Sequence, residues 1–215
     1  MSIVEKINTL LQEIPDHVQL VAVSKTKSNE EILQAYDAGQ RVFGENKIQD
    51  MTRKYEQLPK DIQWHMIGHV QSNKVKYMAP YVSLIHGVDS LKLIKEINKQ
   101  AQKNKRIIEC LLQIHIAEEE SKFGLSIEEC HQAITMAQNL PYIQITGLMG
   151  MATFTQNQDQ IANEFAGLKT LYDQLKQQNI PLKILSMGMS GDYPIAIQKG
   201  SNMIRVGSKI FGPRS

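Results

Sequence analysis

The 215-residue chain has no charge excess, no long apolar run and only two cysteines, and each shortage removes a class of protein. Its 24 Lys and Arg stand against 22 Asp and Glu, and no block of like charge exceeds Glu118-Glu119-Glu120. Neither a nucleic acid nor a membrane surface is therefore an expected partner. No apolar run approaches the length that spans a bilayer. The opening Met-Ser-Ile-Val-Glu-Lys lacks the basic-then-apolar pattern of a secretory signal. Cys110 and Cys130 have no metal-like spacing and read as reduced structural thiols of a cytoplasmic protein. Linkers rich in glycine or serine are missing too, so residues 1–215 are expected to form one domain. What remains is 42% hydrophobic and 21% charged, enough to build a sizeable core.

Apolar periodicity supplies the rest of the framework. Ile3, Ile7, Leu10, Leu11 and Ile14 recur at helical spacing. Leu20 to Val23 follow as a continuous apolar run, the mark of a strand buried on both faces. Ser28 with Glu31, and Ser126 with Glu129, are capping boxes that open helices, and Gly39 stands where a helix should stop. Further strands are expected over residues 41–46, 62–68, 82–88, 107–116, 143–151, 182–185 and 203–206. Helices fall between them: 47–57, 72–78, from Ser90 to Ala101, 126–137, from Ile161 to Leu175, and 190–199. Strand and helix alternate about eight times with short connections, which calls for parallel strands and a single-domain α/β (β/α)8 TIM barrel. A doubly wound sheet is the alternative.

In such a barrel the chemistry sits where strands exit into helices. Strand one delivers Lys25, whose plainest reading is a surface charge at a strand end. Strand two ends in Gly44-Glu45-Asn46, and strand three carries His65 and His69. His86 and His115 mark strands four and five. After strand seven come Ser190 and Gly191, and strand eight leads from Arg205 into Gly207-Ser208. Both loops are rich in backbone and hydroxyl donors of the kind that cradle a phosphate, at the two positions where these barrels bind one. A phosphorylated ligand near a strand-end lysine suggests pyridoxal 5'-phosphate, joined to the amine as a Schiff base with Arg205 facing the pyridine nitrogen. A permanently charged arginine there disfavours protonation of that nitrogen, so broad amino-acid chemistry is not expected.

At these residues the chain resembles the pyridoxal-phosphate-binding family of the homeostasis proteins, whose barrel is similar to the N-terminal domain of alanine racemase. The matching stretches include Ala22-Val-Ser-Lys-Thr-Lys27, Phe43-Gly-Glu-Asn46 and Trp64-His-Met-Ile-Gly-His-Val-Gln-Ser-Asn-Lys74. Lys122-Phe-Gly124, Gly147-Leu-Met149, Leu185-Ser-Met-Gly-Met-Ser-Gly-Asp192 and Arg205-Val-Gly-Ser-Lys-Ile-Phe-Gly212 complete them, so nearly the whole chain is covered. The resemblance implies that Lys25 carries the cofactor and that Ser190, Gly207 and Ser208 hold its phosphate. It also implies Arg205 at the ring nitrogen, Asn46 near lysine and ring, and His65 near the ring. Ser208 stands where many relatives have threonine, which keeps the hydroxyl. Such proteins buffer and supply vitamin B6 without an established turnover reaction, and apo enzymes that use the cofactor are the implied acceptors.

Three rivals follow from the same residues. One is a pyridoxal-phosphate-dependent amino-acid racemase. Alanine racemase uses a second, β-rich domain that adds a tyrosine base across a dimer interface, and the expectation here is a monomer without it, unless Tyr193 or a histidine substitutes. Another is a metal-dependent hydrolase built on His65, His86 and His115, although no His-x-His pair marks strand one. The third is an interaction module in which Lys25 is structural. Lys74 and Lys122 are read as surface charges rather than secondary cofactor contacts.

Overall fold

The computed structural model describes residues 1–119 and 123–213, and Lys122 therefore lies outside the described residues. Eight parallel strands close into a barrel in sequence order: β1 (Gln19–Val23), β2 (Val42–Glu45), β3 (Gln63–Met66), β4 (Leu84–Val88), β5 (Ile108–Gln113), β6 (Ile143–Met149), β7 (Ile184–Met189) and β8 (Met203–Val206). β8 pairs back onto β1, with Val21 opposite Arg205. The (β/α)8 expectation holds, and a doubly wound sheet with open edges is excluded by this closure.

Helices alternate with the strands: α2 (Asn29–Asp37), α3 (Ile48–Gln57), α4 (Val75–Met78) behind a 3-10 turn at Ser72–Lys74, α5 (Leu91–Lys103), α6 (Ile127–Ala137), α7 (Gln158–Gln177), α8 (Tyr193–Gln198) and α9 (Ser208–Phe211). Because α9 is a single turn, it leaves the β8–β1 seam thinly covered. α1 (Ile3–Glu13), which precedes the barrel, packs against α2 and α9 there. Capping boxes form at Ser28–Glu31 and Ser126–Glu129 as expected, and a third at Ser2–Glu5.

Two cores result from strand alternation. Outward-facing residues such as Phe43 and Trp64, both fully buried, meet the apolar stripes of the helices. Inward-facing Val21, Val42, Leu84, Leu111, Met149 and Met203 fill the barrel itself. Above this apolar plug, toward the C-terminal ends of the strands, the interior turns polar at His65, His86, Ser186 and Arg205, each buried.

The seventh unit departs from expectation. The strand was expected over 182–185 but runs over Ile184–Met189. The Leu182 N–H is used locally, donating to the Ile180 carbonyl at 2.8 Å beside Pro181, so pairing starts late. It then continues through Ser186-Met-Gly-Met, where the pairing register with β8 shifts and Gly188 takes φ of +93°. Glycine tolerates that bulged backbone, whereas a run without β-branched residues hides it from propensity. Nor does a helix open at Ser190. A tight turn, in which the Met189 N–H donates to Asp192 Oδ1 at 2.6 Å, holds Ser190 and Gly191 outside α8.

Candidate functional site

β1 ends at Val23 and the chain turns at once. The Lys27 N–H donates to the Ser24 carbonyl at 3.0 Å, closing a four-residue turn with half-buried Lys25 and exposed Thr26 at its corner. Thr26 has φ of +66°, a conformation that costs a β-branched residue on the order of 1 kcal/mol or more. The surroundings hold the turn in place. The Ser24 carbonyl also accepts from Lys54 Nζ at 2.8 Å, and Lys54 pairs with Glu45 Oε1 at 2.8 Å. The Ser24 hydroxyl donates to the same Glu45 oxygen at 2.5 Å. Ser24, Glu45 and Lys54 are all buried. Burial raises the Glu45 carboxyl above the usual carboxylate range, while Lys54 and the Ser24 hydroxyl pull it back. An ion pair between β2 and α3 thus pins the backbone beside the candidate amine.

The other expected residues lie on one arc of the ring, β7-β8-β1-β2-β3. Gly207 follows β8 and packs against Val23, where an added Cβ would meet the Val23 Cβ and carbonyl oxygen at 3.2 Å. Ser190, just past β7, accepts the Gly207 N–H through its hydroxyl at 3.2 Å, so two of the three expected phosphate contacts adjoin. Ser208 is exposed at the start of α9. Lys27 ties the same seam by donating to the Phe211 carbonyl at 3.1 Å. Asn46, past β2, is half-buried and lines a cavity of about 210 Å³ with Lys47, His69, Gln71 and Lys74. Lys74 is half-buried there rather than fully on the surface.

Arg205 and His65 are joined inside the barrel by two residues that strand counting had placed at exits. Arg205 NH1 donates to the Ser186 hydroxyl at 2.6 Å and to the Ser186 carbonyl at 2.9 Å, and NH2 to the Gly150 carbonyl at 3.1 Å. Ser186 Oγ lies 3.2 Å from His86 Nδ1, and His86 Nε2 lies 3.0 Å from His65 Nδ1. Burial lowers the His65 pKa to about 3, holds His86 well below its ordinary value, and brings Arg205 down to about 10. The two rings are therefore neutral and the guanidinium charged at physiological pH.

His115 does not join them: its ring donates from Nε2 to the Glu119 carbonyl at 3.1 Å. Among the described residues no group of three His, Cys, Asp or Glu is placed to hold a metal ion. Tyr193 is also committed elsewhere. Its hydroxyl donates to Glu13 Oε2 at 2.8 Å and accepts from Lys209 Nζ at 3.0 Å, on the α1 side of the barrel wall. Sequence reasoning missed Lys54, which reads as one more polar position on a polar helix. It also missed the joint role of Ser186 and His86, for which the only signal was their inward phase on β7 and β4.

As a set the arc offers an amine, a buried guanidinium, hydroxyls and backbone N–H groups. Those are donors, suited to an anionic, oxygen-rich ligand with a carbonyl carbon for the amine.

Comparisons with known proteins agree with this architecture. The model of the family described as alanine racemase, N-terminal domain, matches residues 2–215. The pyridoxal phosphate homeostasis protein of Haemophilus influenzae is 40% identical over 203 residues, covering 92% of this chain and 86% of that one. The protein of the same name from Aquifex aeolicus is 37% identical over 198 residues, covering 91% and 87%. PipY of Synechococcus elongatus PCC7942, solved without and with PLP bound, superposes with TM-scores of 0.94 and 0.91 at 35% identity, covering 98% of this chain and 100% of that one. Alanine racemase of Clostridium difficile shares the fold at a TM-score of 0.79 and 14% identity, this chain spanning 56% of its length. The chain belongs to the pyridoxal phosphate homeostasis proteins, within the family of alanine racemase N-terminal domains.

Proposed function

We propose that the chain holds pyridoxal 5'-phosphate at the mouth of the barrel on the Lys25 amine, and buffers or delivers vitamin B6 in the cytoplasm rather than turning over a substrate. The observation that carries this reading is the Lys25 turn. A half-buried lysine stands on a strained corner that a buried ion pair holds in place, flanked on both sides by donor groups. Relatives named for pyridoxal phosphate homeostasis at 37–40% identity, and PipY with PLP bound, support it.

Bound to a lysine, this cofactor supplies an aldehyde carbon that exchanges between amines and a ring that withdraws electrons. The chain's own residues then divide the work. Lys25 would hold the aldehyde carbon; Ser190, Gly207 and Ser208 the phosphate. Arg205, charged and kept in place by Ser186 and Gly150, would face the ring nitrogen and discourage its protonation. Asn46 and His65 would border the ring. The commitments of Tyr193 to Glu13 and Lys209 leave it unsuited to serve as the second base of a racemase. The acceptors are apo forms of enzymes that use the cofactor, and the working state is a monomer.

Incubation of the purified chain with pyridoxal phosphate tests the tether. A chromophore near roughly 420 nm that borohydride bleaches is expected for the wild type and not for Lys25→Ala. An equally stable, identical spectrum in Lys25→Ala overturns the assignment. Rapid loss of optical activity from any of a panel of amino acids would instead make the chain a racemase.

A further inference from the structure

The polar chain that crosses the barrel has one atom left over. His65 is 5% exposed and its Nδ1 is bonded to His86, yet its Nε2 has no hydrogen-bond partner among the described residues. That nitrogen is not fully enclosed, so a ligand or water can reach it and satisfy it.

Whether that atom donates or accepts is decided at the far end of the chain. Arginine can only donate, so Ser186 Oγ accepts from Arg205 NH1. Among the described residues the one hydroxyl proton of Ser186 has a single acceptor within reach, His86 Nδ1 at 3.2 Å. Were His86 instead to donate from Nδ1, the hydroxyl proton of fully buried Ser186 would be stranded, at about 1–3 kcal/mol. His86 is neutral, so its proton sits on Nε2 and is donated to His65 Nδ1 at 3.0 Å. His65, also neutral, is left with its own proton on Nε2.

We propose that Ser186 and His86 are positioning residues that lock His65 as a hydrogen-bond donor, through Nε2–H, to an acceptor atom of the ligand in the barrel mouth. This rests on the cofactor reading above, since pyridoxal phosphate offers acceptor oxygens and a ring nitrogen. The guanidinium that is expected at the ring nitrogen thus also sets, through two intervening side chains, the polarity of a second contact. The site so built selects acceptors at that position over donors.

Long-range proton–nitrogen correlation spectra of the histidine-labelled full chain, free of ligand, read the tautomer directly. Protonated Nε2 on His65 is expected in the wild type, with loss of the single tautomer in Ser186→Ala and in His86→Phe, and its return in Ser186→Thr. Pyridoxal phosphate should dissociate about tenfold more readily from Ser186→Ala, the upper range for one neutral hydrogen bond, and less so from Ser186→Thr. Protonated Nδ1 on wild-type His65 overturns the proposal. So does a Ser186→Ala variant with unchanged tautomer and unchanged retention. A wild type that takes up no pyridoxal phosphate sinks the cofactor reading and the proposal with it, whereas uptake without these differences sinks the proposal alone.

Discussion

Lys54 carries more of the site than its place on a polar helix suggests. Its ammonium neutralises Glu45, which is 0% exposed, and holds the Ser24 carbonyl that sets the Lys25 turn. Replacing Lys54 by Met leaves a buried carboxylate with only a serine hydroxyl, a loss of about 3–5 kcal/mol in urea unfolding. Adding Glu45→Leu should restore much of that stability, because a buried ion pair and a well-packed apolar pair are often comparable. The double variant would still lack the hold on Ser24, so slower cofactor uptake at recovered stability is the expected outcome. At the same corner, Thr26→Gly removes the strain of φ +66° and should raise stability by up to about 1 kcal/mol, read in the same assay. At this scale the candidate site was legible only where chemistry announces itself. Lys25, Arg205 and the Gly207-Ser208 loop stand out by type and strand position. Lys54, Ser186 and His86 do not, because their roles depend on which neighbours the closed barrel brings within hydrogen-bonding distance.

Single glycines and caps decide where elements meet. Gly147 on β6 pairs with Ile184 on β7, and a Cβ there would run into the Ile184 carbonyl oxygen. Backbone cannot yield as a flexible side chain can, so Gly147→Ala should separate the two strands locally. The expected readout is faster amide hydrogen exchange in β6 and β7 and a stability loss of at least 1–3 kcal/mol. By contrast, Ser126→Ala removes only the cap of α6, at about 1 kcal/mol and without local exchange in the sheet. Fold and element order were legible because apolar runs, capping boxes and helix stops agree along most of the chain. β8 falls where expected, over Met203–Val206. β7 was misplaced because its second half, Ser186-Met-Gly-Met, has no β-branched residue and bends through a glycine. That error also hid the site, since it put Ser186 in a loop when it points along the inner wall.

For the whole molecule the polar interior has a cost that pH exposes. His65 and His86 are neutral in the folded barrel, with His65 at about 3 against an ordinary value of 6.5 and His86 also well below it. The unfolded chain binds protons on both as pH falls below about 6.5, while the folded chain does not. Stability is therefore complete above that pH and is lost as pH drops toward 3, at up to about 1.4 kcal/mol per unit for each ring. Glu45, whose pKa is raised by burial, acts in the opposite sense. Comparing urea unfolding of the wild type and of His86→Leu between about pH 6.5 and 5 cancels that contribution, which both proteins share. The wild-type slope is expected to exceed that of His86→Leu by up to about 1.4 kcal/mol per pH unit. Equal slopes in the two proteins would mean that the rings take up protons in the folded barrel. Since a charged ring would have to donate from both nitrogens, the neutral Ser186–His86–His65 relay could not then exist. The same titration thus tests, in the intact chain, the uncharged interior on which the orientation of His65 depends.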